Sequence, residues 1–271
     1  MLTVSTVNVN GIRAAYRRGM GEWLAARDPQ ILLLQEVRAS DEILADHLGP
    51  DWHLVHRAGA AKGRNGVAIA SRFPLAAVRS GLGQGNVEPE DQIGRWVEAD
   101  LDPPGGEPMT VASVYIHSGT AGTPSMDDKY AFLDSVTDRL GELMAGGRDV
   151  VVGGDVNIAH TEADIKNWKG NRNSAGFLPA ERAYLDAWLA AGWVDLGRHL
   201  GGDGPGPYTW WSYRGKAYDN DAGWRIDYQY ATPDLAGRAV SAEVDRAATY
   251  ADRFSDHAPL TVRYRRGPDL R

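Results

Sequence analysis

The chain contains no cysteine. That excludes a disulfide framework, a thiolate metal site and a cysteine nucleophile, and it agrees with a cytoplasmic location. No apolar run approaches a membrane span: Ile31–Leu34 and Val150–Val152 fall far below the ~20 residues required. Residues 1–9 lack the basic segment of a secretory leader. No repeat of 20–50 residues occurs, and no linker divides the chain; the Gly/Pro stretch 201–207 reads as a loop. Lysine is scarce, at 5 against 24 arginines, which reflects genome composition. What remains is an ordinary globular composition, 43% hydrophobic and 24% charged. A single domain spanning 1–271 is the expectation. The net charge is 29 − 36 = −7. An acidic whole argues mildly against a nucleic-acid partner, which basic surface usually binds.

Hydrophobic periodicity predicts strands at 2–7, 31–34, 53–57, 66–71, 95–101, 109–116, 149–153, 226–231, 237–244 and 259–265. Helices are predicted at 14–27, at 40–48, over a long amphipathic stretch at 126–145, and at 179–191 with Pro179 in its first turn. Strands come in groups with few helices between them. That favours an α/β sandwich of two packed sheets flanked by helices over a regular doubly wound sheet.

Chemistry is concentrated where apolar strands meet polar residues: Val7 before Asn8, Leu34 before Gln35-Glu36, Val152 before Gly153-Gly154-Asp155-Val156-Asn157, and Ile226 before Asp227. Ser255-Asp256-His257 precedes the last strand. Each alone reads as a solvated strand end, a turn or a cap. Together they assemble carboxylates and amides, hard ligands that suit Mg²⁺ or Mn²⁺ and not structural zinc.

The order of these segments carries a resemblance. Asn8-Val9-Asn10-Gly11-Ile12-Arg13, Leu34-Gln35-Glu36, Gly154-Asp155-Val156-Asn157-Ile158, Phe177-Leu178-Pro179-Ala180-Glu181-Arg182, Trp224-Arg225-Ile226-Asp227-Tyr228 and Ser255-Asp256-His257-Ala258-Pro259 occur in register along nearly the whole chain. The sequence resembles the exodeoxyribonuclease III family of abasic-site endonucleases, within the endonuclease/exonuclease/phosphatase superfamily. The resemblance implies a four-layer α-β-β-α sandwich of the deoxyribonuclease I-like kind, with the active site at one edge of two mixed sheets. It implies a metal-dependent nuclease that cuts duplex DNA 5′ of abasic sites, with 3′-to-5′ exonuclease activity and trimming of damaged 3′ ends, working as a monomer without a membrane.

Residue roles follow from that resemblance. Glu36 is the direct ligand for Mg²⁺, with Mn²⁺ as the alternative ion. Asn8, Asn10, Asp155, Asn157, Asp256 and His257 are ligands or neighbours of the metal. Asp155 is the general base, with His257 left open as the alternative. Asn157 stabilises the transition state, Asp227 orients His257, and Tyr115 contacts phosphate. Trp210, Trp224 and Ile226 line a pocket for the extruded abasic sugar. Arg13, Arg64, Ser118 and Lys166 contact DNA. The sequence departs from the better-known bacterial pattern at Ile116-His117-Ser118-Gly119 and at Gly63-Arg64-Asn65-Gly66. Two alternatives stand beside this reading: another phosphodiesterase or phosphatase of the superfamily, and a non-catalytic DNA-binding module. The stretches 11–18 and 56–72 carry Arg13, Arg17, Arg18, Arg57, Lys62, Arg64 and Arg72 without an acid, whereas acids gather at 88–91 and 126–145. The expectation is a DNA-facing edge more positive than the rest.

Overall fold

The computed structural model describes residues 1–82 and 89–266. Of the acids at 88–91, Glu88 therefore lies outside the described residues. One sheet is built from β1 (Leu2–Asn8), β2 (Ile31–Gln35), β3 (His53–Arg57), β4 (Val67–Ser71), β11 (Ala239–Val244) and β12 (Leu260–Tyr264). The other contains β5 (Ala76–Ser80), β6 (Trp96–Leu101), β7 (Met109–Tyr115), β8 (Asp149–Asp155), β9 (Val194–Asp195) and β10 (Asp227–Ala231). Their strand orders are β11-β12-β1-β2-β4-β3 and β5-β6-β7-β8-β10-β9. The helices are α1 (Ile12–Arg17), α2 (Met20–Arg27), α3 (Asp41–Leu48), α4 (Pro124–Ala145), α5 (Pro179–Ala190), α6 (Leu196–Gly201) and α7 (Pro233–Ala236). Among the described residues, no helix is long and apolar enough to cross a membrane.

The layering follows from the two-residue period of a strand. Leu2, Val4, Ile31, Leu33, Val67 and Ile69 point between the sheets and meet Val97, Val111 and Val151. Their alternates Val7, Leu32, Leu34, Ala68 and Ala70 point outward, onto Ile12, Met20, Leu24 and Leu44 of the first three helices. On the far side, Ala112, Val114, Val150 and Val152 pack against Phe132, Leu133 and Val136 of α4 and Leu185 and Trp188 of α5. Both faces of each central strand are covered, so β1, β2 and β4 are wholly buried, and β2 and β4 are nearly all apolar.

The expected helix at 14–27 is two helices. Gly19, at φ 101°, breaks it in a left-handed conformation that favours glycine. The expected strand at 226–231 begins at Asp227, so Ile226 precedes it instead of ending a strand. Strands β5 and β9 and helices α6 and α7 were not foreseen: they are short and carry little periodicity. Two glycines set the spacing near the site. A Cβ on Gly153 would lie 2.7 Å from Leu33 Cδ1 in the facing sheet, and one on Gly154 would lie 1.9 Å from the carbonyl oxygen of Val114. Gln35 crosses between the sheets, its Nε2 donating to Ser113 Oγ at 2.9 Å, and Ser113 Oγ donates on to the Leu34 carbonyl at 2.9 Å.

Candidate active site

Strand directions bring the polar ends together. β1 and β2 run parallel, with Asn8 opposite Gln35, so Glu36 emerges beside Asn8. β7 and β8 also run parallel, with Tyr115 opposite Asp155. β10 runs antiparallel to β8, so its first residue, Asp227, faces Asp155, the last residue of β8. β12 runs antiparallel to β1, which delivers the preceding Ser255-Asp256-His257 segment to the same edge. Ser255 Oγ donates to the Asn8 carbonyl at 2.7 Å and fixes that segment to β1.

The side chains form one network. Asn8 Nδ2 donates to Glu36 Oε1 at 2.8 Å and to Asp155 Oδ2 at 2.9 Å. Asn157 donates to Asp155 twice, from its backbone N–H to Oδ1 at 2.9 Å and from Nδ2 to Oδ2 at 3.0 Å. His257 Nδ1 is 2.8 Å from Asp227 Oδ2, and His257 Nε2 lies 3.7 Å from Asp155 Oδ2. Asp227 N–H and Ile226 N–H both donate to Thr209 Oγ1 at 3.1 Å. Asn10 (φ 46°), Glu36 (φ 48°) and Asn157 (φ 54°) all occupy the left-handed region that non-glycine residues rarely adopt. Such strain persists where surrounding bonds over-determine it, and it concentrates at functional sites. Here the Asp155 carboxylate holds Asn157, and the Asn8 side chain accepts the Asn10 N–H at 3.0 Å.

Burial and charge set the proton affinities. Burial raises Asp155 to about 8; the Asp227 and Glu36 charges push the same way, against His257 and the Asn8 hydrogen bond. It is a far stronger base than an ordinary aspartate. Burial alone would lower His257, but the carboxylates of Asp227 and Asp155 overcome it and push the imidazole up to about 10. Tyr115 is raised well above its usual value, first by burial and then by Glu36 and Asp155, so its hydroxyl keeps its proton.

The donor set suits a hard divalent cation. Two carboxylates share one amide donor, Asn8, and ligand atoms of Asp155, Asp227 and His257 all lie within 4.8 Å of one another. Among the described residues, Asp227 Oδ1 is buried without a hydrogen-bond partner. Oxygen-rich, negatively charged and incompletely satisfied, the cluster fits such an ion. Asn10 and Asp256 stand in a neighbouring pair: Asn10 Nδ2 donates to Asp256 Oδ1 at 2.8 Å, and Trp210 Nε1 donates to Asp256 Oδ2 at 3.1 Å.

Trp210 and Trp224 are half-buried, edge to face at 6.2 Å, and pack with the buried Ile226, Ile165 and Phe177. They form one wall beside Asp256 and Asp227. The side chains of Arg13, Arg64, Ser118 and Lys166 are exposed and bonded to none of the network. Arg72 sits elsewhere. It follows the end of β4 that pairs with the start of β2, stacks on Trp52 at 4.0 Å and lies near Asp28 and Asp51. The basic stretch 56–72 is therefore split between two ends of the sheet.

Sequence reasoning missed Arg38, which pairs with Glu36, and Arg95, stacked over the Tyr115 ring at 5.4 Å. It also missed Lys129, wholly buried against Glu181. Only Lys129 left a signal: it lies three and four residues before Phe132 and Leu133, on the apolar face of its helix.

Fold and site together define a phosphoester hydrolase built on a two-sheet sandwich. The chain belongs to the endonuclease/exonuclease/phosphatase family, whose pattern matches residues 5–257. It is 35% identical to an exodeoxyribonuclease of Bacillus subtilis, over 94% of this chain and 96% of that protein. It superposes on an AP endonuclease from Archaeoglobus fulgidus with a TM-score of 0.83 and 30% identity, covering 97% of this chain and 99% of that one. A 3′ phosphatase from Neisseria, bound to a product DNA hairpin, gives 0.85 at 27% identity, covering 98% of this chain and 100% of that one.

Proposed function

We propose that the protein is a metal-dependent DNA-repair nuclease that hydrolyses the phosphodiester 5′ of an abasic site and trims damaged 3′ ends of duplex DNA. The observation that carries this reading is the single network of Asn157, Asp155, Asn8, Glu36, His257 and Asp227 beside the Trp210–Trp224 wall.

Asp155 accepts a proton from the attacking water as general base. The water oxygen bonds to phosphorus, the bond to the 3′ oxygen breaks, and the products are a 3′ hydroxyl and a 5′ phosphate. His257 donates from Nε2 to a phosphate oxygen as an imidazolium, because Asp227 holds Nδ1. Tyr115, as a permanent O–H donor, serves another phosphoryl oxygen, and Asn157, whose Nδ2 donates to the Ile116 carbonyl and to Asp155 Oδ2, steadies the base. Glu36 with Asn8 and Asp155, and with Asn10, Asn157, Asp256 and His257 around them, would hold Mg²⁺ or Mn²⁺, which would supply positive charge to offset the charge developing on the phosphate. An abasic nucleotide is extruded cheaply because no base pairing opposes it, and Trp210, Trp224 and Ile226 receive its sugar. Arg13, Arg64, Ser118 and Lys166 engage the backbone. The chain acts as one domain and one monomer in the cytoplasm.

The test is incision of a duplex carrying a stable abasic analogue, with Mg²⁺, Mn²⁺ or chelator, beside Asp155→Asn. Cutting that needs the metal and is lost in the variant supports the proposal. Intact duplex, with hydrolysis of an inositol or lipid phosphate instead, overturns it.

A further inference from the structure

Lys129 and Glu181 are both inaccessible to solvent. Lys129 Nζ lies 2.6 Å from Glu181 Oε1 and also donates to the carbonyls of Asn157 at 2.9 Å and Ser118 at 3.1 Å. All its donors are used. Glu181 Oε2 accepts the N–H groups of Gly176 at 2.7 Å and Leu178 at 3.0 Å. The pair thus ties helices α4 and α5 to three loops at the active edge.

Each tie ends beside a reacting group. Asn157 stands at φ 54°, and its side chain spans from the Ile116 carbonyl at 2.8 Å to Asp155. Gly176 packs against Asn157 and Trp224: a Cβ there would lie 3.1 Å from the Asn157 oxygen and 3.1 Å from the indole. Ser118 follows the strand that carries Tyr115. A buried ion pair is weak evidence for stability, since apolar replacements often fold as well or better. Its retention here is better explained by what its remaining bonds hold in place.

We propose that Lys129 and Glu181 are positioning residues, which together fix the strained Asn157 against Asp155 and set the Gly176–Trp224 wall beside it. The kinetic part of this inference rests on the proposed nuclease activity; the geometric part does not. A displacement of about 1 Å at a reacting group costs on the order of 10²-fold in rate.

The test compares Lys129→Met, Glu181→Gln and the double variant Lys129→Met/Glu181→Leu, the last removing both charges where a single change fails to fold. Two readouts are taken. In the first, the Asn157 side-chain amide is followed by NMR in the free protein, so its outcome stands even if the protein cuts no abasic DNA. A single slowly exchanging amide in the wild type, lost or broadened in a folded variant, is the expected result. In the second, incision is measured with and without Asn157→Ala. The expected result is kcat lower by about 10-fold or more with KM little changed, and a much smaller loss when Asn157 is already alanine. An unchanged Asn157 amide, or a kcat loss equal in both backgrounds, overturns the inference.

Discussion

Asp227 Oδ2 lies 2.8 Å from His257 Nδ1, and Asp155 Oδ2 faces the other ring nitrogen at 3.7 Å. The imidazole is held between two carboxylates with different tasks. Asp227 accepts one N–H and fixes the ring; Asp155, itself buried, is supported by two asparagines. Asp227→Asn keeps the shape and removes the charge that holds His257 as a donor. Steady-state kinetics is expected to show kcat lower by about 10²-fold or more, with duplex affinity nearly unchanged, as befits a donor realised in the transition state.

In the proposed reaction Glu36 holds the metal: only 12% of its side chain is exposed, and it shares the Asn8 amide with Asp155. Glu36→Gln removes a ligand charge without opening a cavity. The Mg²⁺ concentration needed for half-maximal activity is expected to rise by about 10-fold or more, while thermal stability measured without metal changes little. Calorimetric titration with Mn²⁺ checks the same shift.

Trp210 packs its ring against Trp224 and gives its N–H to Asp256. Trp210→Phe keeps the ring and loses the hydrogen bond; Trp210→Ala loses both. Rates on abasic and intact duplexes separate the two roles. Selectivity for the abasic substrate is expected to survive in Trp210→Phe and to fall in Trp210→Ala.

Asp164 answers to stability, not catalysis. It is buried beneath the loop that leads to Asp227, where Arg225 Nε meets it at 2.6 Å and Arg198 also pairs with it. Burial would raise its pKa, but the two guanidiniums outweigh burial and hold it down to about 2, against 3.8 when unpaired. A depressed carboxylate stabilises the fold above the unfolded pKa and loses that contribution as pH falls toward the folded one. The shift corresponds to about 2 kcal/mol. Denaturant titrations are expected to show Asp164→Asn less stable than the wild type at pH 6, with the gap closing between about pH 4 and 2.

Much of this architecture is legible in the sequence because its causes are local. Short apolar strands ending in Asn8, Glu36 and Asp155 announce themselves by composition, and the resemblance orders them. What stayed hidden depends on distant partners. Asp227 reads as a strand end but begins β10, because antiparallel pairing with β8 decides which end meets Asp155. Arg72 reads as one of a basic cluster, but strand direction sends it to the opposite edge, onto Trp52. Gln35 reads as part of a metal motif, yet its side chain bridges the sheets to Ser113. The acidic net charge was a poor guide for a similar reason: Glu36, Asp155, Asp227 and Asp256 gather at one edge beside His257, a concentration of charge suited to a cation.

Hydrolysis at phosphorus by a water that Asp155 activates is the proposed reaction. It is tested most directly by incising an abasic duplex in H₂¹⁸O and analysing both fragments by mass spectrometry. One ¹⁸O is expected in the 5′ phosphate of the downstream fragment, with an unlabelled 3′ hydroxyl upstream, and neither product from Asp155→Asn. Cleavage that leaves an unsaturated sugar on the 3′ end, with no ¹⁸O in the phosphate, would contradict it.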